Sequence, residues 1–182
     1  MLARGGALSP YSGLGGTHTA LVERLQAGLV EGYELGEVQE HNLSNNPIKR
    51  LWRRWVSGPS TARTKSSTHD VIHITDQEQA GLVPNSGKSV VTVHDLFHLF
   101  PSERKGVKIG DHKTSIIRKR DLSKIKNGLS RASLLICVSK DTQQECEMRF
   151  PGVQTKWIPH AIDIEAYAVE TERPSWFNSG CN

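Results

Sequence analysis

Short β-type runs alternate with stretches of helical periodicity along this chain of 182 residues, and no other feature restricts its fold as strongly. The β-type runs lie at 33–40, 70–75, 89–94, 134–138 and 155–158, and the helical patterns lie at 17–30, 47–56, 112–132 and 139–150. Strands that alternate with helices are typical of a parallel sheet covered on both faces. The pattern therefore predicts an α/β fold, a parallel sheet of about six strands flanked by helices.

Individual segments allow more specific predictions of burial, helix ends and loops. The run LLICV at 134–138 is nearly all apolar, as in a strand buried on both faces. Ser139 after it is a good helix N-cap, whereas Gly128 weakens the helical pattern at 112–132. The stretch SGPSTARTKSST at 57–68 is polar and rich in Ser and Thr, so we expect a mobile loop there.

Composition narrows the class of protein. The net charge of +4 fits anionic partners without choosing among them. Three widely spaced cysteines without a CxxC pair argue against a disulfide framework or a structural zinc site, and favour a reducing cytoplasm. No apolar run approaches the ~20 residues of a membrane span. The N-terminus also lacks the apolar segment of a signal peptide, so we expect a cytoplasmic protein.

The run SGLGGT at 12–17 precedes the first helical pattern. Glycines let a backbone approach a ligand closely, and a helix start presents free N–H groups to an anion such as a diphosphate. A flexible loop with a helix cap explains the run equally well. A dinucleotide fingerprint is disfavoured because His18 stands where a third glycine is required.

A His-Asp pair, His94 and Asp95, follows the apolar strand at 89–94. In a parallel sheet ligands sit at the carboxyl ends of strands, where an imidazole can bond a sugar hydroxyl or a phosphate. The alternative is a histidine that satisfies loop carbonyls beside an aspartate that caps a turn. With His98, His73 and Asp76 the pair also suggests a metal site, but the spacing is loose and we expect no metal.

The segment 48–56 places apolar and aromatic side chains on one helical face and four basic side chains on the other. Such a helix can lie on an anionic membrane surface, here the inner face of the membrane. The favoured alternative is an outer helix packed by its apolar face. The basic cluster could attract nucleic acid, but no nucleic-acid module accompanies it, so we expect no nucleic-acid partner.

Five segments in order carry a resemblance: YSGLGG (11–16), DVIHIT (70–75), SVVTVHDLF (89–97), ASLLICVSKDT (132–142) and WIPHAID (157–163). Together they resemble the N-terminal domain of the family-four, group 1 glycosyltransferases of the GT-B fold. The match runs from about Gly5 to Tyr167 and implies a Rossmann-like sheet. It also implies transfer of a sugar, with retention, from a nucleotide-sugar donor to an acceptor glycan, lipid or small molecule, without a metal or other cofactor.

The resemblance also implies roles for residues of this chain. Gly15 and Gly16 match the glycine loop that approaches the donor diphosphate. His94 matches the histidine that faces the transferred sugar, and His94 and Asp95 are the expected catalytic residues. The acceptor side or cleft would be lined by Thr17, Asp76, Gln77, Ser139 and His160.

The sequence departs from the family pattern in three places. Only four residues precede Gly5, where a clear first strand belongs, and His160 with Ala161 replaces Asn-Gly. The family's donor-binding domain with its E-x7-E carboxylates is missing. We therefore expect an N-terminal domain at 1–167, a truncated or disordered tail at 168–182, and little activity until a C-terminal domain or partner chain completes the site. The alternative is a stand-alone subunit that binds an acceptor or partner without catalysis.

Overall fold

The computed structural model describes residues 1–4, 9, 12–40, 45–110 and 114–161. The expectations for Gly5, Tyr11, Asp163, Tyr167 and the tail at 168–182 lie outside these residues. Within them the predicted fold class is confirmed, because six parallel strands form one sheet flanked by helices.

Eight strands were found in the described part of the chain. They are β1 Leu2–Ala3, β2 Val38–Gln39, β3 Val71–Ile74, β4 Lys88–Val93, β5 Ser102–Arg104, β6 Val107–Ile109, β7 Leu134–Cys137 and β8 Gln154–Trp157. The parallel sheet has the order β2-β1-β3-β4-β7-β8, and β5 pairs with β6 as a separate antiparallel hairpin. The chain passes from β1 to one side and returns as β3 on the other, so the topological switch point lies between β1 and β3, where open α/β sheets bind ligands.

Five α-helices accompany the sheet: α1 Gly13–Gln26, α2 Pro47–Trp52, α3 Gly58–Lys65, α4 Ile116–Arg131 and α5 Lys140–Arg149. A π-helical turn, Arg53–Ser57, joins α2 to α3, and a 3-10 helix, Gln77–Leu82, follows β3. A side-chain oxygen accepts a hydrogen bond at the N-terminus of each of four helices: Ser12 caps α1, Asn46 caps α2, Ser115 caps α4 and Ser139 caps α5. The predicted N-cap at Ser139 is confirmed. None of these helices is both long and apolar enough to cross a bilayer.

The hydrophobic core lies against the central strands β3, β4 and β7. Ile72 and Ile74 of β3 and Val91 and Val93 of β4 are almost fully buried, and Leu129 of α4 belongs to the same buried cluster. The expectation that 134–138 is buried on both faces is wrong, because burial alternates along β7 and Leu134 and Ile136 are only half-buried.

The expected loop at 57–68 is also wrong, since α3 occupies Gly58–Lys65. Pro59 sits in the first turn, where its missing N–H costs nothing, and Ala62 is fully buried in the core. The missing first strand is present as β1, whose two residues pair with both β2 and β3. The composition of 57–68 predicted a loop in place of α3 because a short helix that packs through one small residue contains few apolar residues.

The favoured interpretation of segment 48–56, an outer helix packed by its apolar face, holds for only part of that face. Leu51 and Trp55 are half-buried, whereas Ile48, Trp52 and Val56 are exposed. The sequence pattern did not predict the hairpin of β5 and β6.

Candidate functional site

Polar residues follow the carboxyl ends of all six strands of the parallel sheet. They are Arg4 after β1, Glu40 after β2, Thr75 after β3, His94 after β4, Ser139 after β7 and His160 after β8. Because the strands are parallel, these ends lie along one edge, which we call the carboxyl rim. The predicted site residues lie along this rim.

His94 is fixed in the middle of the carboxyl rim by three neighbours. Its backbone N–H donates to Oε1 of Gln77 at 3.0 Å, and its ring Nε2 lies 3.2 Å from the carbonyl oxygen of Thr75. The hydroxyl of Thr142 donates to the His94 carbonyl at 3.3 Å. Gln77 is buried, so a buried amide orients the backbone that carries the imidazole.

The ring of His160 stacks on that of His94, with centroids 5.0 Å apart and planes inclined by 25°. Nε2 of His160 lies 3.1 Å from Nδ1 of His94. The Thr75 carbonyl can only accept, so His94 carries its hydrogen on Nε2 and its Nδ1 accepts from His160. Burial lowers the pKa of His160, and the neighbouring His94 lowers it further. The two predicted histidines therefore form one hydrogen-bonded pair.

His18 joins the start of α1 to the carboxyl rim. Its Nδ1 lies 2.8 Å from the hydroxyl oxygen of Thr75, and its Nε2 lies 2.9 Å from Oε1 of Glu40. Burial lowers the pKa of His18, while the carboxylate of Glu40 acts in the opposite direction. Thr75 thus holds His18 through its side chain and His94 through its carbonyl, and so brings the glycine-rich helix start to the same edge as His94.

Arg4 is only 2% exposed although it carries a charge. Its Nη1 donates to the carbonyl of Leu14 at 3.4 Å, and its Nη2 has no hydrogen-bond partner among the described residues. Burial lowers the pKa of Arg4, against the attraction of Asp76 and Glu40. A buried guanidinium with an unused donor beside a helix start favours an anion.

Neither Arg4 nor His18 is among the site residues that the sequence predicts. Arg4 could have been found from its position directly before Gly5 and Gly6, at the end of the expected first strand. His18 was considered only as the residue that breaks the dinucleotide fingerprint.

The two glycines of the expected diphosphate loop use their N–H groups inside the helix start. Gly15 N–H donates to Oγ of Ser12 at 3.1 Å, and Gly16 N–H donates to the Ser12 carbonyl at 2.7 Å. A Cβ on Gly15 would collide with the carbonyl of Ser9, so a close backbone approach requires this glycine. The Thr17 hydroxyl bonds the Gly13 carbonyl at 2.8 Å. In this conformation the predicted diphosphate-binding groups serve the helix itself.

Both predicted carboxylates cap turns. Oδ1 of Asp95 accepts from the Phe97 N–H at 3.1 Å, as the alternative reading of the His-Asp pair expected. Oδ1 of Asp76 accepts from the Glu78 N–H at 2.9 Å and caps the 3-10 helix. Asp76 is buried beside the carboxyl rim, and burial raises its pKa.

Ser139 links α5 to the carboxyl rim through Thr142. Its Oγ accepts from the Thr142 N–H at 3.1 Å and lies 2.9 Å from the Thr142 hydroxyl oxygen, which in turn reaches the His94 carbonyl. Ser139 therefore serves as a helix cap that also positions His94.

The residues of the suggested metal site are directed apart. Nε2 of His73 bonds the Thr92 hydroxyl at 2.8 Å inside the sheet, and Nε2 of His98 lies 3.2 Å from Oε1 of Glu78. In the part of the chain that the structure describes, no three His, Cys, Asp or Glu side chains are grouped as metal ligands.

No model of a known protein family matches the chain, and no curated protein matches it in sequence. The resemblance to the GT-B family therefore rests on the five segments alone.

Proposed function

We propose that this chain is the acceptor-side half of a retaining glycosyltransferase that takes its sugar from a nucleotide-sugar donor. The observation that carries the proposal is the double contact at Thr75, which ties the glycine-rich start of α1 through His18 to the imidazole of His94. Of these residues, Thr75 and His94 belong to segments that resemble the GT-B family. A C-terminal domain or partner chain would bind the nucleotide and complete the site, and no metal is required.

In the proposed reaction His94 forms a hydrogen bond with the sugar that is being transferred to the acceptor. Nδ1 of His94 already accepts a hydrogen bond from a ring N–H, so a sugar hydroxyl that replaces His160 there would bond in the same way. His160 is exposed, so its displacement uncovers little more than the face of the His94 ring on which it stacks. The rest of the carboxyl rim then holds the histidine still, which is how a protein lowers the barrier of a group transfer by orientation.

Arg4 adds positive charge at the helix start. Sugar transfer from a nucleotide donor leaves a diphosphate, and fixed donors near the developing charge stabilise it. Nη2 of Arg4, which has no partner among the described residues, offers such a donor at the switch point of the sheet. The acceptor, whether glycan, lipid or small molecule, would lie beside Asp76 and Asp95. Cytoplasmic location belongs to the same proposal, since Cys137 and Cys146 are buried as free thiols.

Titration of the 15N-labelled chain with UDP-glucose and GDP-mannose tests the proposal. We expect amide and imidazole signals of Thr75, His94 and His160 to shift, because the sugar must separate the two rings. His94→Ala should abolish the shifts, whereas Thr64→Val, on α3, should leave them intact. Absence of any shift at these residues at millimolar donor would contradict the role of His94 as a residue that contacts the sugar.

One observation favours a second function, that of a binding subunit without catalysis. Both ring nitrogens of His94 and the carboxylate of Asp95 already have partners within the chain. A binding subunit would leave the histidine pair unchanged with nucleotide-sugars, yet change its signals with an acceptor or protein partner. The DNA beyond the last codon discriminates further, because an adjoining frame with E-x7-E favours the enzyme.

A further inference from the structure

The helical segment at 47–65 is fastened to the rest of the fold along one side. Nε of Arg54 donates to Oδ1 of Asp121 at 2.6 Å, and its Nη2 donates to the carbonyl of Glu78 at 3.1 Å. Nζ of Lys124 donates to the carbonyl of Trp55 at 3.1 Å. These contacts fix which side of the segment faces outward.

The outward side carries three large apolar residues at a spacing of four. Ile48 is 75% exposed, Trp52 is 60% exposed and Val56 is 44% exposed. Residues four apart lie on one side of a helix, and the wide π-helical turn at Arg53–Ser57 still brings Val56 round to that side. Leaving such a stripe in water is unfavourable by the hydrophobic effect, so the stripe indicates a surface that is covered when the protein works.

Positive charge borders the stripe. Lys49 and Arg50 are exposed next to Ile48. On the flank Arg120 lies 5.0 Å from the ring centroid of Trp55, and Lys124 lies 5.8 Å from it. We call Ile48, Trp52 and Val56, with Lys49 and Arg50, the 48–56 face.

We propose that the 48–56 face binds the surface of an anionic lipid bilayer. Aliphatic side chains and an indole enter the boundary between headgroups and acyl chains, while lysine and arginine attract anionic headgroups. The chain would then be held at the membrane surface without crossing it. This inference does not depend on the proposed transferase reaction.

Two other occupants fit the 48–56 face less well. A second copy of the chain would bring like charges together, and three apolar side chains fall far short of the roughly 800 Å² per partner of a stable interface. A nucleic acid would contact the basic side chains but gains nothing from an aliphatic stripe beside them. The combination of indole, aliphatic groups and cations is complementary to a charged bilayer.

Co-sedimentation of the full chain with vesicles tests the inference. We expect binding to phosphatidylcholine vesicles that contain 30% phosphatidylglycerol, little binding to pure phosphatidylcholine, and weaker binding at 0.5 M than at 0.1 M salt. Lys49→Gln with Arg50→Gln should weaken binding about 25-fold, since each basic side chain near the surface contributes roughly fivefold. Ile48→Ser with Trp52→Ser should weaken it at least about tenfold.

Matched variants keep the test specific. Leu29→Ser with Tyr33→Ser removes apolar side chains of similar exposure elsewhere, and Lys88→Gln with Lys156→Gln removes two exposed charges elsewhere. Both should bind as the unchanged chain does, and thermal melts should show all four variants folded. The inference is overturned if the chain ignores anionic vesicles or if the controls lose as much binding. It is equally overturned if the main effect of Ile48→Ser with Trp52→Ser is loss of self-association, because the occupant is then a second copy.

Discussion

His73 lies inside the sheet, where its Nε2 bonds the Thr92 hydroxyl. Burial lowers its pKa to about 4, and the positive charge of His18 and of the chain's N-terminal amine acts in the same direction. The folded chain therefore binds this proton less readily than the unfolded chain, and the stability that His73 provides near neutral pH is lost as the pH falls from about 6.5 to 4.

Replacing His73 by Gln should flatten this pH dependence. Between pH 7.5 and 4.5 the free energy of unfolding of the unchanged chain should fall by about 2–3 kcal/mol more than that of His73→Gln. Urea unfolding at both pH values measures the difference. His69→Gln is the control, because its ring bonds the Lys65 carbonyl near the surface. Equal pH dependence in the unchanged chain and His73→Gln would show that His73 titrates normally.

At the residue scale, the sequence predicts which residues lie on the carboxyl rim better than it predicts their hydrogen-bond partners. His94, Ser139 and His160 were placed by the rule that ligands gather at strand ends, and the structure brings them into one network. The rule could not give the direction of a hydrogen bond, so it missed that Gly15 and Gly16 donate to Ser12. Such pairings depend on backbone placement after folding.

The contact between α4 and the 3-10 helix depends on Gly128. A Cβ there would run into the carbonyl of Ala80, so the two helices approach too closely for any side chain. Gly128→Ala should lower the free energy of unfolding by about 2–3 kcal/mol, as overpacking a core does. Gly81→Ala on the facing 3-10 helix is a matched control, because its Cβ would meet only Cβ of Lys124 at 3.8 Å. Chemical unfolding of both variants checks the expectation, which fails if they lose stability equally.

The fastening of the 47–65 segment depends on Asp121. Its carboxylate accepts from Nε of Arg54 at 2.6 Å, from Nη1 of Arg118 at 3.1 Å and from Nε1 of Trp55 at 3.4 Å. Asp121→Ala leaves the guanidinium groups of Arg54 and Arg118 with Glu78 as their remaining carboxylate neighbour. The two groups are 30% and 25% exposed, so we expect a loss of about 2 kcal/mol, below the cost for a fully buried pair. Hydrogen exchange should also rise from Arg54 to Lys65.

Asp121→Asn distinguishes charge from shape at this position. The amide keeps one oxygen acceptor but removes the negative charge, so the loss of stability should be smaller than for Asp121→Ala. If both variants remain as stable as the unchanged chain, the ion pairs contribute nothing and the segment is held by packing alone.

At the element scale, periodicity predicted the strong strands well and short or polar elements poorly. β3, β4 and β7 have apolar runs long enough to recognise, whereas β1 has two residues and is recognised as a strand only through its pairing with β2 and β3. α3 reads as a loop because Ser and Thr favour turns locally, yet burial of Ala62 outweighs that preference. Tertiary contacts therefore determine the secondary structure of β1 and α3.

At the scale of the whole molecule, the proposal makes the carboxyl rim one wall of a cleft whose other wall binds the nucleotide. The purified chain should then transfer or hydrolyse UDP-glucose and GDP-mannose no faster than buffer. Activity should appear when a donor-binding domain with E-x7-E carboxylates is added or fused.

In that assembly His94→Ala should lower kcat roughly 100-fold, the usual loss for one positioned donor or acceptor near the reacting charge, while Thr64→Val should not change it. Radiolabelled sugar transfer measures both rates. Robust turnover by the chain alone would contradict the two-wall assignment, and full activity of His94→Ala would remove His94 from the reaction.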